Sequence, residues 1–147
     1  MRSIILLLIA TLFLSCRSYR EKREKNQRPK ETTTEKKAEL GDINQTGDSI
    51  RILNASIDGN IVTFEVAYSG GCETHEFSLI GSPMIAKSLP PIRSVVLLHR
   101  ANNDVCKKYV VENIKFDIRN FAYTENEGEI FLSIKGLENR LLYKFKP

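Results

Sequence analysis

Tryptophan is absent from the 147 residues, histidine occurs twice and cysteine three times. Without tryptophan, the indole-on-disulfide core of antibody-type domains is unavailable. No G-x-S-x-G, H-E-x-x-H, P-loop, G-x-G-x-x-G or C-x-x-C is present. The chain therefore carries no signature of a hydrolase elbow, a zinc protease, a nucleotide site or a thiol oxidoreductase. An excess of charge is lacking where it would matter. The net charge is +4, but residues 17–40 hold nine Lys and Arg against five Glu, and Arg2 adds one more cation. From residue 41 onward, twelve cations face thirteen anions. A near-neutral domain argues against phosphate-driven binding, so no nucleic-acid partner is expected.

The longest apolar run is too short to span a bilayer. Ile4 to Leu14 is interrupted only by Thr11. At about 1.5 Å per residue it would cover about 16 Å, roughly half a hydrocarbon core. Preceded by Arg2, it has the form of a secretory h-region. It ends in Phe13-Leu14-Ser15-Cys16, and a strongly polar stretch follows. This leader resembles that of bacterial lipoprotein precursors, in which the chain is cut before a Cys whose thiol carries diacylglycerol. The resemblance implies a signal peptide over residues 1–15 and lipidation (palmitate among the acyl chains) at Cys16. The expected location is the bacterial cell envelope, with the membrane as a partner through the anchor. Arg17 stands where many inner-membrane members have Asp, which points to the outer membrane.

Residues 16–48 are expected to be the lipidated Cys and a disordered charged tether. Between Tyr19 and Leu40 the only apolar side chain is Ala38, too little to offset the entropy of ordering.

From Ile50 onward the hydrophobic period is two rather than 3.6. Strands are expected over Ile50–Ala55, Ile61–Ser69, His75–Ile80, Ile92–His99, Lys107–Ile118, Ile130–Lys135 and Leu141–Phe145. Asp58-Gly59-Asn60 reads as a hairpin turn and Gly70-Gly71 as a break. The prolines place Gly81–Pro91 in a loop. The apolar set of the fifth segment changes parity between Val111 and Ile114, which predicts a bulge near Glu112-Asn113. The fold class is all-β, an antiparallel sandwich of about seven strands over residues 49–147 and of immunoglobulin-like size, with a small barrel as the alternative. Tyr68, Phe121 and Tyr123 are core candidates or, alternatively, a binding patch.

Cys72 and Cys106 remain once Cys16 is lipidated, and both histidines, His75 and His99, lie near them in sequence. In an oxidising compartment an even pair of cysteines is expected to form a disulfide. The alternative is a Cys2His2 zinc or copper site using Cys72, His75, His99 and Cys106, since Cys72-x2-His75 has metal-ligand spacing. The two exclude each other. If Ile92–His99 and Lys107–Ile118 form a hairpin, His99 and Cys106 become cross-strand neighbours. A Cys/His hydrolase using Cys72 or Cys106 with His99 needs a free thiol. The carboxylates Glu65, Glu73, Glu76, Asp104 and Asp117 are scattered and form no readable pair. The stretch Tyr68-Ser69-Gly70-Gly71-Cys72-x-x-His75-x-Phe77, with His99 and Asp104-x-Cys106, resembles small uncharacterised bacterial lipoprotein β-domains, which implies a compact β-domain on a lipid anchor and no established activity. The expectation is therefore a non-enzymatic, cofactor-free module contacting an envelope protein or glycan, and the alternative is a metal-binding lipoprotein.

Overall fold

A computed structural model describes residues 30–31, as backbone, and 35–146. The leader, Cys16 and the tether up to Pro29 lie outside the described residues.

The described chain is a β-sandwich. Its strands are β1 (Lys30–Glu31), β2 (Lys36–Lys37), β3 (Glu39–Leu40), β4 (Arg51–Asp58), β5 (Ile61–Gly70), β6 (Glu76–Ala86), β7 (Ile92–Arg100), β8 (Lys108–Asp117), β9 (Gly128–Ile134) and β10 (Leu141–Phe145). One sheet has the order β1-β8-β5-β4, with β2 also on β8, and the other runs β10-β9-β7-β6-β3. The long neighbours are antiparallel except β7 and β9, which pair in parallel; β1, β2 and β3 also add in parallel. The sheets are thus mixed, where an antiparallel sandwich was expected.

Strict alternation aims Val62, Phe64, Val66 and Tyr68 of β5 inward, against Phe77 and Leu79 of β6, Val95 and Leu97 of β7, and Ile130 and Leu132 of β9. Each large apolar side chain removed from water contributes about 1.5–3 kcal/mol, so this two-sided layer dominates stability. At one end, Phe121 is fully buried in a short 3₁₀ turn and Tyr143 donates to Asn60 Oδ1 at 2.7 Å. Burial pushes the Tyr143 phenol up to about 12. Phe121 is therefore core, whereas Tyr123 is 40% exposed and meets Phe145 edge-on.

Four expectations are corrected. β8 has no bulge: its register with β5 is continuous, and Glu112 occupies a core-facing position at 5% exposure, accepting a hydrogen bond from Tyr68. The apparent slip of parity is a carboxylate standing where the pattern calls for an apolar residue. β6 continues through the expected loop as far as Ala86, because its register shifts between Gly81 and Ile85 and Pro83 sits within that irregularity. β7 and β8 lie in different sheets and form no hairpin. Finally, the domain starts upstream of residue 49. Ala38 is fully buried, its N–H bonds Asp117 O, and Gly41 N–H bonds Gly81 O. Residues 41–48 then strap the outer face of the second sheet, where Ile43 packs on Ile80, Val96 and Leu98.

Candidate functional site

The sites expected from sequence converge at the end of the sandwich where β5, β6 and β7 meet their loops. Cys72 and Cys106 form a disulfide, with Cα atoms 6.0 Å apart, closing the loop after β5 onto the loop before β8. The bridge therefore continues the β5–β8 pairing two residues beyond Gly70 and Lys108 and ties together the ends of two neighbouring strands of one sheet. With the sulfurs bonded to each other, neither is a thiolate. The Cys2His2 metal set is not formed, and neither sulfur is available as a nucleophile.

Asp104 organises the loops beside the bridge. Asn102 and Asn103 both have left-handed backbones (φ 51° and 60°), a conformation asparagine tolerates. This turn brings the Asp104 side chain back towards the loop after β5. Its Oδ2 accepts the N–H groups of Cys72 (2.9 Å) and Glu73 (3.0 Å), and its Oδ1 accepts that of Cys106 (2.8 Å). His75 Nε2 lies 3.0 Å from the same Oδ2. The Glu73 N–H first, then His75 and the Cys106 N–H, hold the Asp104 carboxyl well below the usual carboxylate range.

The line of contacts continues inward. His75 Nδ1 is 2.7 Å from His99 Nε2, and His99 Nδ1 is 3.1 Å from the carbonyl oxygen of Ser49. The imidazoles are nearly coplanar (15°) with centroids 4.9 Å apart, an edge-to-edge arrangement. Tyr68 covers both rings at 4.5 and 4.9 Å, and Phe77 lies parallel to His99 at 5.1 Å. His99 is 1% exposed, and the side chains of His75 and Asp104 are 3% and 0% exposed. Burial pushes His99 down from the ordinary histidine value, with the Ser49 carbonyl opposing.

Gly70 explains part of the Gly-Gly pair. A Cβ there would stand 2.5 Å from His75 Nε2 and 3.0 Å from Asp104 Oδ2, so only glycine lets the backbone pass the cluster.

Beside His99 a cleft of about 540 Å³ opens between the sheet ends, with Ser49, Ile52, Tyr68, Leu97 and Tyr109 also in its wall. The sequence pointed to His75, His99, Cys72 and Cys106. It did not single out Asp104 as their hub, nor Ser49 and Tyr68 as partners. The Asn-Asn-Asp-x-Cys turn was the available signal for Asp104.

No family model and no curated protein matches this sequence. The fold is similar to that of a NigD-like immunity protein of Bacteroides caccae ATCC 43185, with a TM-score of 0.53 and 14% identity over 68% of this chain and 51% of that one. A protein of unknown function from Bacteroides vulgatus ATCC 8482 gives a TM-score of 0.49 and 11% identity, over 77% of this chain and 56% of that one. This chain thus spans about half the length of either protein.

Proposed function

We propose that this chain is a lipid-anchored module of a bacterial cell envelope, and that its sandwich domain binds another envelope component without catalysing a reaction. The observation that carries the binding reading is the state of the buried polar cluster. Asp104, His75 and His99 are engaged with one another and with backbone groups, and the adjacent sulfurs are bridged. That chemistry holds loops in place and offers no nucleophile. The envelope reading rests on the leader ending in Ser15-Cys16 and on the disulfide, which suits an oxidising compartment. The shared fold with a protein described as an immunity protein is compatible with a binding scaffold. The contact surface is the end of the sandwich opposite the disulfide, where Leu89 is 100% and Met84 79% exposed. Leu89, between β6 and β7, and Met84, near the end of β6, are the apolar side chains this surface offers a partner.

The test has two parts. Cells expressing the chain with labelled palmitate should yield a labelled, membrane-associated product, and Cys16→Ser should abolish the label; an unlabelled wild-type product released from the membrane would overturn the anchor. A photo-reactive residue at position 89 should give a discrete cross-linked protein or glycan species in intact cells. Cross-links to lipid alone, or none, would overturn the binding surface.

A further inference from the structure

The line of contacts from Asp104 through His75 and His99 to Ser49 has an acceptor at each end. The Ser49 carbonyl can only accept. The Asp104 carboxylate already takes the N–H groups of Cys72, Glu73 and Cys106, so it is an anion that accepts again from His75. Both outer nitrogens, His75 Nε2 and His99 Nδ1, must therefore carry hydrogen. A neutral imidazole has only one N–H. Two neutral rings would then leave His75 Nδ1 and His99 Nε2 facing each other as bare lone pairs at 2.7 Å. That is a hydrogen-bond distance between buried groups, and one more proton satisfies all three contacts.

We infer that His75 and His99 form a buried proton-binding site, which at neutral pH holds three ring protons on four nitrogens and carries one positive charge opposite the Asp104 carboxylate.

The surroundings set that count at three rather than four. Among the described residues, Asp104 is the carboxylate whose oxygen lies within hydrogen-bond distance of an imidazole, and the Asp48 charge acts on His99 from further off. Tyr68 covers the rings as a neutral phenol, its pKa raised by burial and by Glu112, to which its hydroxyl donates at 3.0 Å. Asp48, in the strap, is turned to the Ala101 N–H at 2.7 Å. The Lys36 ammonium lies 5.7 Å from the Phe77 ring. Glu76 and Arg100 are paired in register across β6 and β7, and both are exposed. Within the line of Asp104, His75 and His99, one anion matched by one extra proton leaves the three groups neutral together, the condition under which burial of ionised groups is tolerated. A fourth proton would put two adjacent positive charges away from water.

Emptying the site removes one contact of the three. Keeping the His75–His99 bond then turns a bare nitrogen either to the Ser49 carbonyl or, at greater electrostatic cost, to the Asp104 carboxylate; keeping both outer bonds leaves two lone pairs facing each other. Relief comes most easily at the strap, where the Asp48 N–H bonds His99 O at 2.8 Å and Ser49 walls the cleft. Proton occupancy thus couples to how firmly the Asp48–Ser49 wall is held.

The experiment is nitrogen-15 NMR on the untagged full chain, purified in detergent with labelled histidine. Only His75 and His99 contribute signals. At pH 7 three protonated ring nitrogens are expected, with a coupling across the His75 Nδ1–His99 Nε2 bond. Two protonated nitrogens, or four, would overturn the proposal. In Asp104→Asn, checked for native circular dichroism, the count should fall to two at the same pH; a retained third proton would overturn the role of Asp104 as counter-charge. If that variant does not fold, the wild-type count alone decides. Amide protection of Asp48 should fall at least threefold as the third proton is titrated away, and protection unchanged across that titration would overturn the coupling to the cleft.

Discussion

Asp104 Oδ2 lies 3.0 Å from His75 Nε2 and at the same time accepts the backbone N–H groups of Cys72 and Glu73. One carboxylate therefore joins the loop before β8 to the loop after β5, in parallel with the disulfide. The two links differ in kind. The disulfide restricts the unfolded chain, whereas the carboxylate depends on protonation and on the packing of Gly70 beneath it.

Acid should weaken the fold at both ends of the β5–β8 pair. Asp104 is held below the usual carboxylate range by backbone donors and His75, and Asp117 by the side chain of Arg119. A depressed folded-state value means that the unfolded chain takes up protons first as pH falls. The stability these groups contribute is complete above the ordinary unfolded value of about 3.9 and is lost as pH falls from there through their folded values. The urea midpoint should therefore drop between about pH 4 and pH 2, and Asp104→Asn should flatten that limb while lowering the plateau. An unchanged acid limb in Asp104→Asn would show that its carboxylate is not among those responsible.

Glycine 70 is the steric test of the cluster. Its absent Cβ would sit 2.5 Å from the His75 ring, whereas at Gly59 a Cβ meets nothing within 4 Å. Gly70→Ala should cost about 2–3 kcal/mol through displacement of His75. Gly59→Ala, with φ of 56°, carries only the conformational penalty of about 1 kcal/mol. Chemical denaturation of the two variants under identical conditions measures the difference. Equal losses would mean that His75 moves aside freely.

The architecture was legible because half-buried strands alternate. Val62, Phe64, Val66 and Tyr68 give a period that only a strand accommodates. The reading failed where backbone, not side chains, carries the structure. Residues 35–48 offer hydropathy little beyond Ala38, Leu40 and Ile43, yet they pair through main-chain bonds with β6, β7 and β8. Glu112 misled in the opposite direction, because a buried carboxylate looks like a change of face until its Tyr68 partner from another strand is known. The hairpin expected between β7 and β8 failed because consecutive strands can belong to opposite sheets, and no local pattern separates the two cases. At the site, the Cys and His positions could be read as neighbours, but their hub lay among five scattered carboxylates that only the folded turn distinguishes.

The disulfide closes a loop of 34 residues in sequence separation. Loop-entropy arithmetic gives its removal a cost of about 4 kcal/mol. Cys72→Ser together with Cys106→Ser should lower the unfolding free energy by that order, and the Asp104 bonds should keep the β5–β6 and β7–β8 loops near their native positions. Retention of the histidine nitrogen signals in the double variant would check the second half. Their collapse to free-imidazole values would mean that the bridge, not the carboxylate, positions the rings.

Ala38 tests whether the strap is part of the domain. Its side chain has no exposed surface, and it sits where the chain passes from Lys36–Lys37 on β8 to Glu39–Leu40 on β6, so it closes one open side of the sandwich. Ala38→Asp places a carboxylate against the core and should cost about 3 kcal/mol. Ile43→Asp, on the outer face where Ile43 is only partly buried, should cost about 1 kcal/mol. If residues up to 48 were merely a tether, both substitutions would leave the thermal midpoint unchanged. The ordering Ala38→Asp well below Ile43→Asp, with both below wild type, is the outcome that a strap built into both sheets requires.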